Sequence, residues 1–168
     1  MFSDCTSLTT APALPATTLV EGCYKGMFSN AGFTSAPVLP ATTLAKSCYE
    51  SMFQNCMSLT TAPTLPETVL VERCYAYMFN GCKSLTTAPV LPATTLPDYC
   101  YYQMFGNCTN LSTITLGYTG NFADAPSNTF FYWVTSVAAS GTFYYNGSDT
   151  TRGVSAIPSG WTITPFTP

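Results

Sequence analysis

The sequence predicts an α/β solenoid: a stack of units of about 26 residues, each a short helix followed by a short parallel strand, closed by a C-terminal α+β cap. Three observations carry this. Met-Phe recurs at Met1, Met27, Met52, Met78 and Met104, a fixed period in the twenties. Each unit passes from an apolar row at helical spacing to a Thr- and Pro-rich extended stretch. The period stops after Leu116, which divides the chain into a solenoid over residues 1–117 and a cap over residues 118–168.

Within a unit the helix is predicted from Leu70, Cys74 and Met78 at i, i+4 and i+8, with Tyr75 and Phe79 on the adjoining row. Asp4, Asn30, Asn55, Gly81 and Asn107 follow each Met by three residues and are types that tolerate the left-handed conformation ending a helix. Thr18 with Glu21 forms a capping box, and Pro97 falls in a first turn, where a missing N–H costs little. In the second half, Leu8, Ala11 and Leu14 point inward from an extended SLTTAPxLP stretch. Its proline removes a ladder donor, so the strands are short, and Leu111–Leu116, which lacks that proline, should be the longest. The unit starting at Met27 has lost one residue, so Ala31 stands in for a cysteine and Phe33 for a leucine. In the cap, Ser127 opens a predicted helix with Phe130, Phe131, Val134 and Val137 inward. Strands are predicted at Gly141–Tyr145 and Trp161–Thr164.

Composition excludes several classes. Five Lys and Arg in 168 residues cannot form the basic stripe that a nucleic-acid binder needs. No apolar run approaches the length of a membrane span, and the N-terminus has no basic stretch followed by an apolar core. The absence of His removes Ser-His-Asp and Cys-His catalysis and every His-containing metal site. The acids Glu21, Glu50 and Glu72 are placed at exposed helix positions. Asp124, Asp149 and Arg152 in the cap are the place an enzyme would have to put convergent groups. No enzyme, cofactor or metal centre is expected.

Cysteines occupy two repeat columns: Cys23, Cys48, Cys74, Cys100 and Cys5, Cys56, Cys82, Cys108. The spacing fits no zinc site, and the columns read as buried free thiols that act as small apolar groups. Bridges between neighbouring repeats in an oxidising compartment are the alternative. Thr10, Ser35, Thr61, Thr87 and Thr113 form a column expected on the outer face, either as ordinary strand residues or as an ice- or carbohydrate-contacting array. Tyr24, Tyr49, Tyr75 and Tyr101 recur in every unit and read as packing between helices. Tyr77, Tyr99 and Tyr102 do not recur, standing where other repeats carry residues such as Gly26, Ser47 and Ser51, and are the candidate ligand-binding residues.

A segment carrying M-F-x-x-C, then S-L-T, then a stretch ending in L-P, resembles the BspA-type leucine-rich repeats of bacterial surface proteins over residues 1–117. The LPATTL units resemble those of surface and phage tail-associated proteins from gut bacteria. The resemblance implies a leucine-rich-repeat-like stack and surface recognition, and it supplies no catalytic residues. The expected function is a non-catalytic recognition or adhesion module binding a glycan or protein through a rigid repeat face. The alternative is an architectural spacer or stalk of a longer surface or virion protein. The expected location is extracellular, on a cell surface or virion. The unit at Met1 begins without a polar cap, so the chain reads as a C-terminal fragment, with end-to-end self-association through the uncapped N-terminal repeat as an expectation.

Overall fold

The structure is a computed structural model that describes residues 1–65 and 69–166. The repeats stack as a solenoid, but the expected helices do not form. In their place stand runs of consecutive turns at residues 21–30, 46–55, 72–81, 98–107 and 127–136, here called levels one to five. Every fourth residue of each run is left-handed: Gly22, Gly26 and Asn30; Ser47, Ser51 and Asn55; Arg73, Tyr77 and Gly81; Tyr99, Gln103 and Asn107; Asn128, Tyr132 and Ser136. The residues read as helix ends, Asp4, Asn30, Asn55, Gly81 and Asn107, are all left-handed, each closing or standing in a turn run. The Thr18 and Glu21 box has no helix to cap.

The physical reason lies in the period. Cys48-Tyr49, Met52-Phe53 and Cys56 repeat every four residues, and all are fully buried. An α-helix advances 3.6 residues per turn, so a row at strict four-residue spacing drifts by about 40° each turn. A turn run repeats every four residues and keeps such a row pointing inward. Its hydrogen bonding also differs. The amides of Cys48, Glu50, Met52 and Gln54 donate to carbonyls three residues back, while those of Ser47, Tyr49, Ser51, Phe53 and Asn55 donate to Glu72, Cys74, Ala76, Met78 and Asn80 of the next level. Half of the amides thus close turns and half tie levels together, which satisfies the backbone without helix or sheet.

The extended halves pair in parallel at single positions, Thr18 with Thr43, Ser35 with Thr61, Thr87 with Thr113 and Leu91 with Leu116. Among the described residues, regular strands form only toward the C-terminus: β1 (Thr113–Leu116), β2 (Thr142–Tyr145) and β3 (Thr162–Thr164), ordered β1-β2-β3 and all parallel. Thr113 faces Thr142, and Thr142 faces Thr162. Stacking therefore crosses the boundary expected between residues 117 and 118. The predicted cap helix is level five, another turn run, followed by its own strand. Within it Phe130, Trp133 and Val134 are buried, but Phe131 faces solvent at 38% exposure, which corrects the inward placement. A 3-10 turn, Phe122–Asp124, bridges the two parts.

Aromatic columns fill the interior. Phe2, Phe28, Phe53, Phe79 and Phe105 stack at 5.6–5.9 Å between neighbouring rings. Tyr24, Tyr49, Tyr75 and Tyr101 stack at 5.9–6.4 Å. Phe33 is buried and meets Phe28 and Phe53 edge-on. The hydroxyls of Tyr49 and Tyr75 are buried and find no hydrogen-bond partner among the described residues. Replacing Tyr75 by Phe removes an unsatisfied polar group at constant shape, so Tyr75→Phe is expected to raise stability by about 1 kcal/mol. Urea unfolding checks this, and a loss of stability would mean that a buried water pairs the hydroxyl.

All eight thiols are free, with Cys5 and Cys23 exposed and the other six buried. Cys56, Cys82 and Cys108 donate to the carbonyls of Phe28, Phe53 and Phe79 at 3.0–3.1 Å. Burial pushes the Cys48 and Cys56 thiols up to about 11 and those of Cys74 and Cys108 up to about 12. At neutral pH, iodoacetamide is expected to modify Cys5 and Cys23 in the folded protein and the remaining six only after denaturation, as counted by mass spectrometry.

Candidate recognition surface

The four-residue period sends two side chains inward and leaves the next two outward. At the outward positions the levels differ in sequence, and packing varies with level: Ser47 and Glu50 of level two are buried, whereas level one is open. A Cβ built on Gly22 or Gly26 meets nothing within 4 Å. The equivalent positions in levels three to five carry Arg73, Tyr77, Tyr99, Gln103, Asn128 and Tyr132.

The structure brings Tyr77, Tyr99 and Tyr102 together. The rings of Tyr77 and Tyr102 meet at 5.1 Å and 70°, and those of Tyr99 and Tyr102 at 5.6 Å and 48°. All three are half-buried. Level five extends the cluster: Phe131 stacks on Tyr102 at 5.3 Å and 7°, and Tyr132 meets Phe131 edge-on at 4.4 Å. Edge-to-face and offset pairs of this kind hold one another in place, so the patch is preorganised. Burial pushes the Tyr77 hydroxyl above its ordinary value, and the neighbouring Tyr102 hydroxyl adds to this.

A charged group flanks the rings. The Arg73 guanidinium lies 5.3 Å from the Tyr99 ring centre and donates through Nε and Nη2 to the Glu50 carboxylate at 3.4 and 3.2 Å. Lys25 Nζ approaches the same carboxylate at 3.2 Å. Glu50, expected at an exposed position, is only 6% exposed. Burial pushes its carboxyl up, but hydrogen bonds from Arg73, Ser47 and Lys25 outweigh this and hold it below its ordinary value. Sequence reasoning missed Arg73, Gln103, Phe131 and Tyr132, because a helical reading spreads these positions around an axis.

The other sequence candidates are scattered or already committed. Thr10, Ser35, Thr61 and Thr87 are exposed and Thr113 half-exposed, in line along the extended side. The neighbouring hydroxyl of Thr60 is spent on the Thr34 carbonyl at 3.1 Å. Asp149 accepts from the amides of Phe122 and Thr151, both at 2.8 Å, and the bonds from Thr151 and Phe122 hold its carboxyl below the usual value. Asp124 accepts from Asn121, and Arg152 donates to the carbonyls of Pro158 and Trp161. These hydrogen bonds hold local chain geometry. Among the described residues no cluster of three or more potential metal ligands occurs, and no helix is long and apolar enough to cross a membrane.

Comparison with curated proteins and with solved structures gave no match. A family model described as a BspA type leucine rich repeat region matches in six copies, over residues 1–104 and 22–137. The second span runs through the whole of level five, in agreement with the stacking that carries the repeats past residue 117. On this match the chain belongs to the BspA-type leucine-rich repeat family.

Proposed function

We propose that the chain is a non-catalytic recognition module, displayed outside a cell or on a virion, that binds a glycan or protein ligand through Tyr77, Tyr99 and Tyr102. The observation that carries this reading is their gathering, with Phe131 and Tyr132, into one ring cluster on the outward side of three successive levels. Rigid tyrosines give large contact area at little entropic cost, and half-buried aromatics beside an arginine have the composition of binding hot spots. A stacked solenoid presents such a surface without moving parts.

A glycan and host-surface-protein binding array tests it, with the wild type beside a Tyr77→Ala/Tyr99→Ala/Tyr102→Ala variant whose folding is checked by circular dichroism. Binding that is lost in the folded variant supports the proposal. Absence of any binding by the wild type overturns it in favour of a spacer or stalk.

A further inference from the structure

Every backbone bond between turn runs points the same way along the stack. The amide belongs to the earlier level and the carbonyl to the later one, from Phe2 and Met27 at one end to Asn107 and Thr135 at the other. The turn-run side of the stack therefore has a polarity: its last level presents donor amides and its first presents acceptor carbonyls.

The donor end is closed by the chain itself. The Tyr132 amide donates to Ser155 Oγ at 2.9 Å and the Val134 amide to the Val154 carbonyl at 3.2 Å, while Trp133 Nε1 donates to the Ala156 carbonyl at 2.8 Å. The acceptor end is only half closed. The carbonyls of Met27 and Ser29 accept from Phe2 and Asp4, whereas those of Glu21, Cys23 and Lys25 meet no donor among the described residues. Side chains over the same stretch are uncovered as well. Cys23 is exposed, although Cys48, Cys74 and Cys100 of its column are fully buried. Tyr24 stacks on Tyr49 alone, where Tyr49 and Tyr75 each stack on two rings.

Alignment of the levels defines what fits there. Phe2 donates to Met27 as Phe53 donates to Met78, so Met1 stands where Met52 stands and the uncovered stretch corresponds to residues 45–51, Ala-Lys-Ser-Cys-Tyr-Glu-Ser. In level two, Ser47, Tyr49 and Ser51 of that stretch donate to Glu72, Cys74 and Ala76, the counterparts of Glu21, Cys23 and Lys25. A second copy of this edge is the wrong partner, since two edges that both present carbonyls leave both sets unpaired. We infer that the open edge of level one is a docking site for a segment of the turn-run type, running in the chain direction into Met1, whose alternate amides donate to Glu21, Cys23 and Lys25.

The test joins Ala-Lys-Ser-Cys-Tyr-Glu-Ser ahead of Met1 of the full chain and locates iodoacetamide labels at neutral pH by peptide mass spectrometry. Cys23, labelled in the unextended chain, should become as unreactive as Cys48. Cys5 lies in the other cysteine column and should stay labelled, as the internal control. The same residues in scrambled order should leave Cys23 labelled. Proline in place of the added tyrosine removes the amide aimed at the Cys23 carbonyl and should restore labelling, whereas alanine there keeps the amide and should preserve the protection. Cys23 that stays reactive beside the ordered segment, or that the scrambled one protects equally, overturns the inference. Equal labelling with proline and alanine overturns the role of the amides. Sedimentation of the unextended chain as a dimer in which Cys23 is protected overturns it too, with a second copy as the occupant.

Discussion

Phe79→Ala is expected to lower the stability of the folded chain by about 3–5 kcal/mol, the cost of emptying a closely packed aromatic site. Phe79 has no solvent exposure and stacks on both sides, 5.6 Å from Phe53 and 5.8 Å from Phe105. Its amide also donates to Met104 and its carbonyl accepts the Cys108 thiol, so relaxation into the cavity would pull on the bonds between levels. Phe2, half-buried with one stacked neighbour at 5.8 Å, is the control. Truncating it should cost roughly 1–2 kcal/mol, in proportion to the smaller area it removes from water. Urea unfolding of both variants measures the difference, and equal losses would show that the column does not carry the stack.

The second large effect is at Glu50. Arg73→Ala removes the bidentate partner of a carboxylate that is 6% exposed, and should cost roughly 2 kcal/mol at neutral pH. The value falls below that of a fully buried pair because Lys25 stays 3.2 Å away and Arg73 is itself 30% exposed. The folded Glu50 carboxyl is held below its unfolded value, so its contribution is present above the unfolded value and is lost as the pH falls through the folded one. In the variant the upward push of burial is opposed by less, and protonation relieves the buried charge. The stability gap between wild type and variant should therefore be widest near neutrality and narrow in acid. Urea midpoints over a pH series test this, and a gap independent of pH would mean that Arg73 acts through packing alone.

Much of this architecture was legible from Met-Phe spacing and from the columns of Cys, Tyr and Leu, because stacked levels force like onto like. The local conformation was harder to read. Cys74, Met78 and Cys82 at four-residue steps suit a helical row over two turns, and only over three does drift decide against it. Gly22, Gly26 and Asn30 in level one are the one place where the left-handed residues are all of types that favour that conformation. In level three the same positions read Arg73, Tyr77 and Gly81, and the signal is lost. The tyrosines of the candidate site stood out because they interrupt a conserved spacing with bulk. Phe131 and Tyr132 did not, because the step from Gln103 to Tyr132 is 29 residues and hides their alignment with the level before. Glu50 was misplaced for a related reason: its partners lie one level on either side, at Lys25 and Arg73, and no local pattern reports them.

The division of backbone amides between turns and neighbouring levels has a mechanical consequence. Bonds such as Tyr49 to Cys74 and Phe53 to Met78 run along the stack axis, while the chain itself runs around it. Tension between the two ends therefore does not load all the bonds of one junction together. It peels the outermost coil from the next, one bond after another, and each coil of 25 or 26 residues pays out roughly 80–90 Å of slack. Coils deeper in the stack keep both neighbours until their turn comes. Under load such a molecule would lengthen in steps, one coil at a time.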